Sequence, residues 1–302
     1  VLSDRVIRVL QAHDLLPFLR LVAVGAADTG QEPEWGRLVD NGLAEVVAFE
    51  PDEAACARLA ASHPRGWTIV PAALGAGGPA TLYRCRSPFC SSLLRPDMAT
   101  ARLFTGLAEY MAPIGTAEVR TRRLDDVVEA QGAAWLSLDV QGAELLILEH
   151  GRTVLAGAQV VELEVQLVPH YHGAPGLAEV DGFLRAQGFS LHTMRPPQGR
   201  AFAPIVVDGD PHRPVRQILW TDLVYVRDIR HLDRLDSPGL LQLAVLADAV
   251  LGSIDLAHLA LRTFDRRHGT ALTPALERAW LEPQHALAAD RGLAAEAVAG
   301  EG

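Results

Sequence analysis

The residues best suited to chemistry are acids and imidazoles gathered between positions 139 and 172. Asp139 follows the apolar run Leu136-Ser137-Leu138, and Glu164 lies within Val160-Val161-Glu162-Leu163-Glu164-Val165. Each reads as the end of a strand, and open α/β sheets bind their ligands at the carboxyl ends of strands. Carboxylates there could hold a cofactor's amino group, face an acceptor hydroxyl, or take its proton, a role typically contributing roughly 10²–10⁴-fold in rate. An Asp at this point also commonly caps the following helix. His170 and His172 flank Tyr171 and are the base candidates; His170 is assigned to catalysis, and Tyr171 and His172 to substrate contact. Surface histidines in a loop after Pro169 are the plainer alternative. Their alternate spacing raises a metal site with Asp139 or Glu164, yet no third ligand stands at a recognised spacing, so no metal is assigned. Gln141 and Glu144 follow Asp139 and are candidate substrate contacts, although Glu144 also suits the positive N-terminus of a helix.

A second group lies near the start. Val22-Ala23-Val24-Gly25-Ala26-Ala27-Asp28-Thr29-Gly30 reads as a strand entering a glycine turn, where backbone amides can approach a ligand. Glu50 ends the next strand, placed to accept hydrogen bonds from the two hydroxyls of an adenosine ribose. A P-loop is excluded because Gln31 and Glu32 stand where Lys and Ser/Thr are required. The dinucleotide fingerprint fails at Ala27, which replaces its second glycine. S-adenosylmethionine has no pyrophosphate and tolerates a looser turn, so it fits best; a purely structural turn in another α/β fold stays open. Pro51, Ala73 and Leu74 could sandwich an adenine.

Short apolar runs alternating with helical stretches position these groups. Strands are expected at Leu21–Val24, Val46–Glu50, Trp67–Val70, Trp135–Val140, Val160–Val165, Phe189–Met194 and Asp222–Val226, with helices at Glu34–Gly42 and Asp52–Ser62. That pattern implies a parallel sheet covered on both faces. Residues 77–119 break it as an insertion with a β-arm at Thr81–Cys85 and the pair Ser91-Ser92, which could bind substrate or merely satisfy local backbone. After Ser237 come Ala/Leu-rich helices, Leu240–Arg267 and Pro274–Val298. Their apolar stripes suit a core, a dimerisation surface giving a homo-oligomer, or a lid.

The net charge is −10 and every basic residue is Arg, which argues against a nucleic-acid partner and excludes a lysine Schiff base. Apolar runs fall short of a membrane span, and no signal peptide is legible. Cys56, Cys85 and Cys90 form no CxxC pair, as in a reduced, cytoplasmic protein.

The run Leu136-Ser137-Leu138-Asp139-Val140-Gln141-Gly142-Ala143-Glu144-Leu145 resembles the central motif of the FkbM-type methyltransferases. Further likenesses follow in the family's order: Val24-Gly25-Ala26-Ala27, Ala48-Phe49-Glu50-Pro51, Ser91-Ser92-Leu93, Arg123-Leu124-Asp125-Asp126, Glu164-Val165-Gln166 with Tyr171 and Gly173, and Trp220 to Arg227. Ala23 stands where the family usually has an acid, a loss Asp28 could offset, and Ser137 where it has a lysine. The resemblance implies an α/β fold, a Rossmann-like seven-stranded class I methyltransferase sheet with a C-terminal helical appendage. Expected boundaries are a helical lead-in over 1–20, the methyltransferase domain over 21–236 and the appendage over 237–302. It further implies S-adenosylmethionine at Gly25, Ala26, Ala27, Asp28, Gly30, Glu50, Pro51, Ala73, Leu74 and Asp139. Methyl transfer would go to a hydroxyl of a small molecule, sugar, glycan or secondary metabolite, by way of Asp139, Glu164 and His170. The alternative is a catalytically degenerate Rossmann-like domain used for binding or assembly.

Overall fold

The computed structural model describes residues 4–26 and 33–281. Ala27, Asp28, Gly30 and the chain beyond Leu281 lie outside the described residues. The chain divides into two compact units, residues 17–242 and residues 1–16 with 243–302. The N-terminal helix groups with helices of the C-terminal stretch.

In chain order the elements begin with α1 (Arg5–Ala12), β1 (Leu19–Val24), α2 (Gly36–Asp40), β2 (Ala44–Phe49), α3 (Glu53–Ser62) and β3 (Trp67–Val70). The insertion holds β4 (Gly78–Cys85), α4 (Met98–Ala101), α5 (Leu107–Tyr110) and β5 (Pro113–Thr121). Then come β6 (Trp135–Leu138), α6 (Glu144–Glu149), α7 (Arg152–Gly157), β7 (Val160–Gln166), α8 (Leu177–Ala186) and β8 (Phe189–Met194). The two-residue β9 (Gln198–Gly199), β10 (Ile218–Arg227), α9 (Ser237–Ala249), α10 (Ile254–His268) and α11 (Leu272–Leu281) complete the described chain.

Seven strands lie in the order β3-β2-β1-β6-β7-β10-β8, with β9 pairing on β10. The first five are parallel, and β10 enters antiparallel between β7 and β8. This is the class I methyltransferase order. Where the sequence implied a parallel sheet throughout, β10 turns back antiparallel between β7 and β8.

The two faces of the central strands differ in character. Val22, Val24, Leu136, Leu138, Val161, Leu163, Val165, Leu223 and Tyr225 form one core with side chains of α6, α7 and α8. Because side chains alternate along a strand, the register sets Ser137 beside Glu162 and Glu164 beside Asp222 on the opposite face. β7 thus carries acids at two successive positions of that face, Glu162 and Glu164, and Asp139 follows Leu138, the last residue of β6.

Residues singled out near Leu124 and Arg227 turn out to hold α7 at both ends. Asp125 accepts from Thr153 N at 2.9 and 3.1 Å and from Val154 N at 3.0 Å, capping the helix start. The Arg227 guanidinium donates to Leu155 O at 3.0 Å and to Ala156 O at the helix end. Opposite charges thus complement the helix dipole. In the other unit, Val6 N donates to Asp248 Oδ2 at 2.9 Å, and Arg5 lies 6.0 Å over the Trp280 ring. No described helix is long and apolar enough to cross a membrane.

Loss of a helix N-cap costs about 0.5–2 kcal/mol. Asp125→Ala should destabilise the chain by about that amount in urea unfolding, with ligand binding unchanged; an unaltered midpoint would show that the cap contributes nothing.

Candidate active site

The site grows from the turn after β6. Asp139 N donates to Val24 O at 3.0 Å, continuing the β1–β6 ladder by one residue. Gly25 then passes so close that a Cβ on it would lie 1.9 Å from the Asp139 carbonyl oxygen, and its φ is +76°. Only glycine satisfies both conditions. The amides of Gly25 and Ala26 are both bonded to Phe49 O, at 3.1 and 3.3 Å. They fasten the turn to β2, where the sequence had suggested that they meet a ligand.

After Asp139 the chain makes a tight turn with Gln141 at φ 59° and Gly142 at φ 99°. A long side chain at positive φ is strained. Here the strain accompanies a fixed role. Gln141 Oε1 accepts from Tyr171 Oη at 3.2 Å, so its amide nitrogen faces Asp139 Oδ1 at 2.7 Å and Glu164 Oε1 at 3.4 Å. One amide thus holds two carboxylates in register. Glu144, a candidate substrate contact, is buried and accepts from Val140 N at 2.9 Å and Gly142 N at 3.2 Å. It secures the turn and lines neither cavity described below; burial pushes its carboxyl up to about 7.

Two adjoining cavities meet at Asp139, Gln141 and Phe89. The first, about 370 Å³, is lined by Gly25, Glu50, Pro51, Ala73 and Leu74, and roofed by the insertion through Leu82, Phe89 and Ile114. Its size is that of a small-molecule pocket, which spans roughly 300–1,000 Å³. Glu50 Oε1 accepts from Asp52 N at 2.8 Å, and burial raises its carboxyl from its ordinary value. The second cavity, about 310 Å³, is lined by Glu164, His170, Tyr171, Arg200, His212 and Trp220, among others.

The electrostatics of the second cavity follow from a shortage of cations. Four acids, Asp139, Glu162, Glu164 and Asp222, share one region of the sheet. Arg195 pairs with Glu162 at 2.8 Å and also with Glu34 at 2.8 Å. Asp139 and Glu164 have Gln141 alone as side-chain partner among the described residues. Asp139 is open to the cavities yet walled in by protein, and burial raises its carboxyl. Burial and then the charge of Asp139 push Glu164 well up. Both are therefore stronger bases than free carboxylates. His170 is buried, with Nδ1 bonded to Val168 O at 2.9 Å. A carbonyl requires a proton on Nδ1, which leaves Nε2 of the neutral ring bare; burial lowers its pKa.

The remaining candidates are placed as follows. Ser91 Oγ accepts from Cys85 N at 3.2 Å, and Ser92 Oγ donates to Gln141 O at 2.9 Å while accepting from Leu94 N. Both line the first cavity, but the Ser91 bond stays within the insertion and the Ser92 bonds join the cavity wall to the Asp139 turn. The single hydroxyl proton of Tyr171 is shared between Cys90 O at 2.8 Å and Gln141 Oε1, and the ring is buried, which raises its pKa. His172 is exposed near Asp97 and lines neither cavity, because its neighbours tie back to the insertion through Asp97 N to His170 O and His172 N to Arg95 O. Sequence reasoning missed Phe89, Arg200, His212 and Trp220. The first sits two residues from the serine pair; Arg200 and His212 lie in a Pro-rich connection with no pattern to mark them.

Among solved structures, the chain is similar to a precorrin-6y C5,15-methyltransferase from Geobacter metallireducens GS-15, at 12% identity over 74% of this chain and 87% of that one, TM-score 0.33. It is also similar to a 30S ribosomal A1408 methyltransferase from an uncultured bacterium, at 9% identity over 75% and 94%, TM-score 0.33. Likeness at that level carries no weight here; the fold rests on the strand order. No curated protein matches the chain. The methyltransferase FkbM domain, however, matches residues 24–191, more than half of the sequence and the whole of the stretch from the glycine turn to β8 that builds the Asp139 turn. The chain belongs to the FkbM methyltransferase family.

Proposed function

We propose that the chain is an S-adenosylmethionine-dependent O-methyltransferase acting on a hydroxyl of a sugar, glycan or secondary metabolite. The observation that carries this reading is the meeting of two cavities at Asp139 and Gln141, one suited to a nucleoside and the other lined by basic carboxylates. The first cavity fits the cofactor. It pairs an acid at the end of β2 with apolar walls at Pro51, Ala73 and Leu74. Glu50 would hold the ribose hydroxyls, the apolar walls the adenine, and Asp139 the end of the molecule nearest the second cavity. When bound, S-adenosylmethionine supplies an electrophilic methyl group on a sulfonium.

The chain's own residues then have defined tasks. Glu164 takes the proton from the acceptor hydroxyl, since its raised pKa brings it nearer to neutrality, where a general base works best. Gln141 keeps the Glu164 and Asp139 carboxylates oriented. The insertion closes over the first cavity and limits the entry of water. His170, neutral with Nε2 bare, is a second candidate base in the same cavity.

Calorimetric titration should show binding of S-adenosylmethionine and of its demethylated product, and Glu50→Ala should weaken both by about tenfold or more, as expected for losing a charge-assisted hydrogen bond. Absence of binding by wild-type protein would sink the cofactor assignment. Acceptors are found by screening hydroxylated small molecules with methyl-labelled cofactor. With such an acceptor, Glu164→Gln should lower kcat by roughly 10²–10⁴-fold with cofactor affinity retained. Because the folded pKa of Glu164 is raised, kcat/KM of the wild type should climb with pH through a limb displaced above the ordinary Glu value of about 4.3. If that limb persists in Glu164→Gln and vanishes in His170→Gln, the base is His170.

A further inference from the structure

We infer that the second cavity takes an acceptor bearing an anionic group, a carboxylate or a phosphoryl, and that Arg200 binds that group. The inference rests on the methyl-transfer reading above and names the substrate class of the same site. Arg200 lies between β9 and β10, half-buried, with its guanidinium carbon 5.2 Å over the Trp220 ring. Its Nη1 donates to the neighbouring Gly199 O at 2.8 Å. Nε is buried and has no partner among the described residues. No described carboxylate comes within ion-pair distance of it, whereas Arg185, Arg195 and Arg230 are each paired at 2.6–2.8 Å. Asp210 acts on Arg200 only from farther away, and its Oδ1 is engaged by His212 N at 2.7 Å.

A partly desolvated guanidinium without a counter-charge is costly to keep. Here it fronts a cavity with room for one. Its position over the Trp220 ring confines the guanidinium, and a guanidinium fork suits two-point recognition of a carboxylate or phosphoryl group. His212, whose Nε2 is bonded to Tyr110 Oη at 3.0 Å, lines the same cavity and can add a further polar contact. Asp139 and Glu164 line it too, yet neither pairs with Arg200. The cavity is therefore polarised. An acceptor with its anion on Arg200 presents its hydroxyl to the carboxylates, where the proton is to be removed. A neutral acceptor would leave the guanidinium uncompensated and its own orientation undetermined.

The test is calorimetric titration of the full chain, saturated with S-adenosylhomocysteine, against glucose, glucuronate and glucose 6-phosphate. At least one of the two anions should bind about tenfold or more tightly than glucose, the scale of one charge-assisted contact; which of them does so separates carboxylate from phosphoryl recognition. Arg200→Gln should abolish the preference and Arg200→Lys retain part of it, with S-adenosylhomocysteine affinity unchanged in both as the check on folding. Equal binding of all three sugars overturns the assignment. So does failure of both anions to bind while S-adenosylhomocysteine still does, or a preference that survives Arg200→Gln. If wild-type protein does not bind S-adenosylhomocysteine at all, it is the methyl-transfer reading that fails.

Discussion

The close passage of Gly25 beneath the Asp139 carbonyl is the constraint on which the site depends. A Cβ at Gly25 would stand 1.9 Å from that oxygen, so the ends of β1 and β6 reach this separation only because residue 25 has no side chain. The same contact fixes where β6 stops and where the Asp139 turn starts. From it follow the positive φ of Gln141, the burial of Glu144 under the turn, and the meeting of two cavities at one carboxylate. The glycine turn is thus primarily a joint between strands, with its first two amides committed to Phe49.

Charge is distributed unevenly around that joint. The face of the sheet opposite the main core carries Glu162, Glu164 and Asp222, and Arg195 compensates only the first by a direct pair. Burial without a counter-ion raises the pKa of a carboxylate, which makes Glu164 and Asp139 more basic than their residue types suggest. Gln141 links them by a neutral amide that cannot quench either charge. An orienting contact of that kind preserves basicity, whereas an arginine in its place would lower it. Among the described residues, the Arg200 guanidinium in the second cavity pairs with neither acid.

The insertion is held by its own small core, in which Phe104, Leu107 and Met111 pack with Tyr171 and Leu219. It is also laced by backbone bonds to the run His170-Tyr171-His172. That lacing turns His172 outward and leaves His170 and Tyr171 facing the cavity. Two histidines of equal promise in the sequence thereby acquire opposite fates, decided by which backbone groups the insertion claims.

The seven strands of the main sheet, the parallel order of the first five and the acids that follow β2 and β6 were legible in the sequence, because they follow from hydrophobic period and from the rule that places ligands at the carboxyl ends of strands; Glu164 instead lies inside β7 opposite Asp222, and the antiparallel entry of β10 carries no such mark. The family, too, was legible, from ordered short runs about Asp139. Tertiary structure alone decided the rest. Ser91, Ser92 and Glu144 have the right chemistry for ligand contact, but their hydrogen bonds are spent on backbone groups as distant as Gln141 from Ser92. Asp125 and Arg227, a hundred residues apart, meet at the two ends of one short helix. Arg200 and His212 join the cavity from an irregular connection. Periodicity reports which face of an element is buried; it carries no information about which loop returns to cover it, and that return is what sets the partners, the pKa shifts and the shape of the second cavity.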